Sequence, residues 1–443
     1  MSGQSRRVAL ATLVGTTVEW YDFFIYGTSA ALVLNKLFFP EFSPTAGTLL
    51  AFATFATGWL ARPIGGVLAG HFGDKLSRKT MLVVTVVGMG VATMLIGVLP
   101  TYASIGVAAP ALLVALRVFQ GLAVGGEYGG AVVMAVEHAP EGRRGLAASW
   151  PQMGVTAGLV LGTAVFYAFL TAMPEASFQA WGWRVPFLLS FVLVLVGLVI
   201  RMRIVESPAF ENAKQTQAVV RLPLAEVVRR HPGRVVLLIA AHIAPNTYFY
   251  TFATFILAYA TTTLGFSSST VLVAVSVAAL IETFTLPAFA HLSDRVGRRP
   301  VYIGGLAFLA ACTFPFFWLA GQGSGPLLFA GIAVCMAVGH AAVYGTQASF
   351  FSELFPTSVR YTGLSLGYQV AGALFGGPLP LIATALVGVG DGGPWYFAGY
   401  MAFTAVISAV AAYLAPETSR LRIADARPAT AAGEGDSAYA PSR

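Results

Sequence analysis

Four ionisable residues stand in stretches too apolar to hold them without a reason. Arg117 and Glu127 fall inside a glycine-rich, otherwise apolar run from about Ala108 to Val136, and Glu19 and Asp22 lie in an earlier run of the same kind. An ionised group at bilayer depth costs roughly 2.5–3.5 kcal/mol on insertion scales, so it is kept for a partner or for a task. The chemistry open to these residues is narrow. A carboxyl can take up and release a proton, its affinity raised by burial and lowered by a nearby cation. A guanidinium stays charged, and its planar fork suits bidentate pairing with a carboxylate. Glu19, Asp22 and Tyr26 are three and seven positions apart and share a helix face, which is expected to look into a polar cavity. Gln120 follows Arg117 by one turn, and Glu127 lies seven residues further on nearly the same face. Glu127 can relay a proton or, as a neutral acid, hydrogen-bond to a backbone carbonyl; both readings stay open. A structural intramembrane ion pair without a transport role is the competing reading of the set.

The elements that must position these groups are long apolar helices. With 57% hydrophobic and only 10% charged residues and a mean hydropathy of +0.75, the 443-residue chain is an integral membrane protein. Repeated apolar spans of about 20 residues mark helices, not the shorter alternating segments of a barrel. Twelve spans are expected, near 9–34, 47–71, 80–99, 106–136, 146–171, 185–204, 235–262, 270–290, 300–320, 327–350, 361–388 and 394–414. Within the fourth, Gly121, Gly125 and Gly129 recur every fourth residue, a small-residue face that lets a neighbouring helix approach closely. The net charge of +7 does not point to nucleic acid, because the basic residues sit in short loops. If the amino terminus is cytoplasmic, only Lys36 and Arg184 of the 26 Lys and Arg lie outside, with Arg62 and Arg117 in the membrane. That asymmetry places both termini in the cytoplasm and requires an even number of spans. The first apolar run contains Glu19 and Asp22 and lacks a small-residue cleavage pattern, so it reads as a retained helix and not a leader. Cys312 and Cys335 fall in apolar runs and read as core packing, and neither a metal site nor a cofactor is indicated.

The chain divides into two similar halves. Gly70-His-Phe-Gly-Asp74-Lys75-Leu-Ser-Arg78-Lys79 after the second span matches Ala290-His-Leu-Ser-Asp294-Arg295-Val-Gly-Arg298-Arg299 after the eighth, about half the chain away. A second pair, from Glu137 through Arg143 and Arg144 and from Glu353 to Arg360, repeats at nearly the same offset. The expected organisation is an N-terminal six-helix bundle (1–204), a cytoplasmic loop (205–233), a C-terminal six-helix bundle (234–418) and a disordered cytoplasmic tail (419–443). In this repeat Arg62 and Glu282 hold equivalent places, and either could contact substrate or gate, or pair within its own bundle, Arg62 with Glu19. Asn246 in the seventh span, and His340, Tyr344 and Gln347 on one face of the tenth, form an uncharged polar surface suited to a substrate. Asp74, Arg78, Glu137, Arg144, Asp294, Arg298, Glu353 and Arg360 at the cytoplasmic helix ends could cross-link helices as a gating network, each exposed pair worth on the order of 0–1 kcal/mol.

These motifs resemble the major facilitator superfamily, whose loop signature of glycine, aspartate and paired basic residues occurs twice here. Within it, Glu19-Trp-Tyr-Asp22, Ala61-Arg62-Pro63-Ile-Gly65-Gly66, Arg117-x-x-Gln120-Gly121 with Gly125-Gly126-Glu127-Tyr128-Gly129-Gly130, and Trp183-Arg184-Val-Pro186-Phe are similar to the metabolite:proton symporter family. That family includes carriers of shikimate, α-ketoglutarate, citrate and proline/betaine. The resemblance implies an all-α fold of twelve transmembrane helices in two bundles, a monomer in the cytoplasmic membrane, and uptake of a small molecule driven by the proton gradient. It further implies Asp22 as proton acceptor and Arg117 as its switchable partner, free to bind a substrate carboxylate once Asp22 is protonated; Glu19 and Glu127 remain alternatives. A shikimate-like acid or a di- or tricarboxylate is the expected cargo. The alternatives are zwitterionic proline or betaine, and a non-transporting sensor of the same fold. An enzyme is not expected, since no nucleotide loop or nucleophile–base set is present.

Overall fold

The computed structural model describes residues 3–75, 78–125, 127–137, 139–140, 142–202, 223–356, 359–389 and 392–419. Most of the loop expected at 205–233, nearly all of the tail and the side chains of Asp74 and Arg78 lie outside the described residues. Among those described, the helices form twelve rods in the expected order. They are α1 (Gly3–Ser29, running on to Phe38), α2 (Pro44–Lys75), α3 (Arg78–Val98), α4 (Ala108–Glu137), α5 (Arg144–Ala172) and α6 (Arg184–Met202). The second six are α7 (Pro232–Thr262), α8 (Ser268–Val296), α9 (Arg298–Ala320), α10 (Gly325–Glu353), α11 (Arg360–Val389) and α12 (Trp395–Leu414). Eight are long and apolar enough to cross a membrane on those grounds alone, nine if α6 is joined with the short bent helix before it. Glu19, Asp22 and Arg62 make α1 and α2 more polar, and the apolar part of α3 is the short Val83–Val98.

The apolar pattern decides which faces turn outward. Phe191, Val192, Phe284, Trp318, Phe403 and Val406 are exposed on α6, α8, α9 and α12, as a lipid-facing surface requires. The small-residue face of α4 works as its spacing foretold. A Cβ on Gly121 would stand 2.0 Å from the Gly58 carbonyl, and one on Gly125 would stand 2.1 Å from the Arg62 carbonyl, so α4 lies directly on α2. α5 is pressed against α1 on one side and α8 on the other, and α8 with α5 and α11 with α2 form the seam between the halves. α1, α7, α10 and α11 each contain a π-bulge, at Ala30–Leu34, Thr251–Phe255, Cys335–His340 and Gly372–Gly376. Such bulges recur at functional positions because they re-aim side chains without ending the helix.

Candidate functional site

In the first half the guanidinium groups rest on aromatic faces. Trp20 and Phe23 of α1 and Trp59 of α2 surround Arg62, whose Cζ lies 5.3, 4.6 and 3.7 Å from their ring centroids. Arg117 of α4 lies 4.0 Å from the Tyr26 ring and 5.1 Å from Phe23. It donates to Gln120 Oε1 and to the Phe55 carbonyl, the latter at 3.2 Å. Gly58 opposite leaves room for the fork, since a Cβ there would sit 2.8 Å from its Nη2. Each cation–π contact contributes about 2 kcal/mol when desolvated, which offsets part of the burial cost. Among the described residues Arg117 makes no ion pair, and the Nε atoms of Arg62 and Arg117 are buried without a hydrogen-bond acceptor.

Asp22 does not touch Arg117. Its Oδ1 accepts from Ser190 of α6 and its Oδ2 from Thr93 of α3, the second at 3.1 Å. Gln120 Nε2 donates to Thr93 Oγ1 at 2.8 Å, so Thr93 and Gln120 stand between the carboxyl and Arg117 in one hydrogen-bonded chain. The expectation of a direct contact is corrected on this point, as is the shared outlook of the three α1 residues. The four-residue step from Asp22 to Tyr26 leaves an arc of about 40° on a helix, and Asp22 turns toward α3 and α6 while Tyr26 meets Thr54 of α2 and Arg117. A narrow crevice lined by Gly15, Val18, Glu19, Asp22, Val86, Met89, Val194 and Gly197 opens between α1, α3 and α6. Asp22 therefore borders a crevice within its own bundle and not the seam between the halves. Glu19 lies within electrostatic reach of Arg62, and Glu127 is buried at the start of the inner part of α4. Thr93, Ser190 and the aromatic cage escaped the sequence reading; lone hydroxyls in apolar spans carry little signal, though Trp20, Phe23 and Trp59 sit beside the charged positions.

The second half is different. Glu282 of α8 is hydrogen-bonded to His340 Nδ1 on the α10 bulge, both side chains fully buried. The equivalence of Glu282 with Arg62 does not extend to their surroundings. His340 stacks with Tyr344 at 5.0 Å and with Phe249 of α7 at 5.2 Å. Gln347, one turn further along α10, is buried with both amide atoms outside hydrogen-bond geometry, and Asn246 donates to the His242 carbonyl at 2.9 Å. Tyr128 of α4 stacks on Tyr368 of α11 at 3.6 Å across the seam, where Gln369 donates to the Gly125 carbonyl at 2.8 Å and Gln152 to the Tyr344 carbonyl at 3.1 Å.

Three of the residues expected to gate, Asp294, Arg298 and Glu353, form a buried cluster. Asp294 accepts from the backbone N–H groups of Gly145 and Leu146 at 2.8 and 3.0 Å, so a carboxylate of the second half caps α5 of the first. Arg298 bridges Asp294 at 2.8 Å and Glu353 at 3.2 Å, and Arg360 reaches Glu137 at 3.9 Å. Arg144 begins α5 beside this cap. The expectation of wet surface pairs is corrected here: the Arg298, Asp294 and Glu353 side chains are at most 2% exposed. Buried, the cluster holds because all three members are mutually satisfied, and removing one would strand a charge at about 3–5 kcal/mol. The chain turns through Gly297, whose φ of 110° is a glycine conformation, and Glu417 accepts from the Arg298 and Arg299 N–H groups at 2.9 and 3.0 Å.

Among the described residues, twelve helices in two halves, with two buried guanidinium groups near a seam closed by hydrogen bonds, define a multi-pass helical membrane protein. The chain belongs to the Major Facilitator Superfamily, whose family model matches residues 12–380. It is 42% identical over 420 residues to the shikimate transporter of Escherichia coli (strain K12), covering 94% of this chain and 96% of that one. It is 35% identical over 397 residues to the proline/betaine transporter of Salmonella typhimurium (strain LT2), covering 87% and 78%. In fold it is similar to the partially occluded inward open form of the xylose transporter XylE from E. coli, with a TM-score of 0.74 at 19% identity over 94% of this chain and 99% of that one.

Proposed function

We propose that the protein is a proton-coupled symporter that imports a small carboxylate-bearing metabolite across the cytoplasmic membrane, working as a monomer with both termini in the cytoplasm. The observation that carries this reading is Arg117: a buried guanidinium held on aromatic rings, with no carboxylate partner among the described residues and one N–H unmet there. Its fork receives the cargo carboxylate, and Arg62 on the neighbouring rings adds a second positive charge. Asp22 is the proton site. While Asp22 is ionised, Thr93 and Gln120 are both polarised toward it and Gln120 Oε1 occupies an Arg117 N–H. Protonation weakens the demand on Thr93, lets Gln120 turn and frees Arg117 for the cargo. The halves 1–204 and 234–418 then rock about the seam. Tyr344 and Gln347 of the tenth-span face, with Asn246, supply uncharged contacts that choose among acids, while His340 of that face is engaged by Glu282. The likeness to the shikimate transporter supports a hydroxylated or multiply charged acid as cargo.

Counterflow in vesicles made with purified protein tests this. Labelled shikimate or a dicarboxylate is expected to exchange against unlabelled compound and to accumulate when the outside is acidified. Exchange of proline or betaine with no response to acids would instead favour a zwitterion carrier, and no exchange of any of them would favour a sensor.

A further inference from the structure

The first half contains every group used so far for the proton, yet the most completely enclosed ionisable pair lies in the second. Glu282 and His340 are both 0% exposed and share one hydrogen bond. Each also keeps one polar atom, Glu282 Oε2 and His340 Nε2, buried with no partner among the described residues. An unmet buried polar atom costs about 1–3 kcal/mol, more for a charged group. Such a cost, met twice in one pair, implies that both atoms find partners at another stage of the cycle.

The position of the pair says which stage. Thr283, next to Glu282, hydrogen-bonds to Thr156 of α5 across the seam at 2.7 Å. On the other side, Phe249 lies over the His340 ring and meets Phe24 of α1 edge to face, ring centroids 5.7 Å apart, so the cover on the imidazole is braced from the first half. Movement of the halves must therefore uncover the pair. We infer that Glu282 and His340 form a second proton-binding site, separate from Asp22, that loads and releases one proton as the seam opens and closes. This rests on the proposed symport.

The balance is simple. With the proton bound the pair is neutral overall, as carboxylate with imidazolium or as carboxylic acid with imidazole, which suits a dry interior. Released to water, the proton leaves a carboxylate that accepts from a neutral imidazole, a net charge of −1 that needs solvent on Oε2. Around the pair, α7 contributes His242, Tyr248 and Tyr250, of which Tyr248 is engaged by Thr313 at 2.6 Å. Cys335 and Tyr344 come from α10 itself, Cys312 and Tyr302 from α9, and Tyr128 and Tyr368 from the seam at α4 and α11. The stretch of α5 from Gln152 to Thr163 facing α8 has no charged residue. These elements carry fixed charges of their own, Arg298 and Glu353 among them, but among the described residues the charged group that acts on Glu282 is His340, so the pair's own proton sets its charge.

The test is the accumulation ratio that reconstituted protein reaches under a pH step of about one unit, where each coupled proton contributes about tenfold. Glu282→Gln and His340→Gln are each expected to lower the ratio about tenfold relative to the parent while counterflow persists. Asp22→Asn differs, because Asp22 governs whether Arg117 can hold the cargo and its loss uncouples every proton. An unchanged ratio in both variants overturns the inference, as does weakened cargo affinity at an unchanged ratio, which would place the pair in the cargo site. Should Glu282→Gln fail to fold by thermal melting, His340→Gln, which keeps the carboxyl, decides. Should both fail, infrared difference spectra of the parent decide: a carboxyl band and a histidine ring band titrating together support the site, and their absence overturns it. A parent that does not respond to the pH step sinks the symport proposal as well. A parent still driven through Asp22, with unchanged pair variants, loses only this inference.

Discussion

Arg62 and Glu282 occupy matching places in the repeat and have opposite surroundings. The cations of the first half lie on the π-faces of Trp20, Phe23, Tyr26 and Trp59, while the acid of the second half has an imidazole for a partner and aromatic rings stacked beyond it. A π-face eases the burial of a positive charge without neutralising it, so a cation–π cage stays attractive to an anion. An acid hydrogen-bonded to an imidazole does not. On the proposed reading, one fold duplicated yields two kinds of site, one for a charged cargo and one for a proton.

The largest expected effect comes from breaking the first kind. Arg117→Gln keeps the hydrogen-bonding outline and removes the charge; transport measured as kcat/KM should fall at least about thirtyfold, the scale of a buried charge pair losing one member. Preserved uptake in that variant would remove the anion site from the first half. Next is the lock at the basic helix ends. Glu353→Gln leaves Arg298 short of a buried partner, and a loss of about 3 kcal/mol should appear as a clearly lower melting temperature. Thr93→Val cuts the chain between Asp22 and Gln120, and coupling should weaken several-fold with binding retained, a loss of about 1 kcal/mol. The smallest effect is at Glu417, outside the membrane. Burial alone would raise its carboxyl, but the N–H groups of Arg298, Ser419 and Arg299 outweigh burial and hold it below the usual range. Its stabilisation is therefore complete above the unfolded value near 4.3 and is lost as pH falls through the lower folded one. Glu417→Gln should lower the melting temperature slightly at neutral pH and flatten its acid limb, by about 0.3–1 kcal/mol.

The helix order and the close approach of a neighbour to α4 were legible because each depends on local pattern, apolar length and glycines every fourth residue; that the neighbour is α2 was not. Arg117 and Glu282 were legible as isolated charges in apolar runs. Their partners were not. Whether Asp22 meets Arg117 or Thr93 depends on a rotation of about 40° along α1, and the pairing of Glu282 with His340 depends on the π-bulge that re-aims α10, neither of which leaves a periodic trace. The burial of the Arg298 lock was missed for a related reason, since helix ends rich in charge read as solvated until Thr418 is found donating to Glu353 at 2.6 Å.

The central claim is that Asp22 ties proton uptake to the state of Arg117, and vesicles loaded with a pH-sensitive dye test it most directly. Adding shikimate or whichever acid the counterflow screen selects should acidify the lumen with the parent protein. Asp22→Asn should exchange labelled cargo while lumen pH stays constant. Acidification of the lumen by Asp22→Asn at the parent's rate would contradict the account.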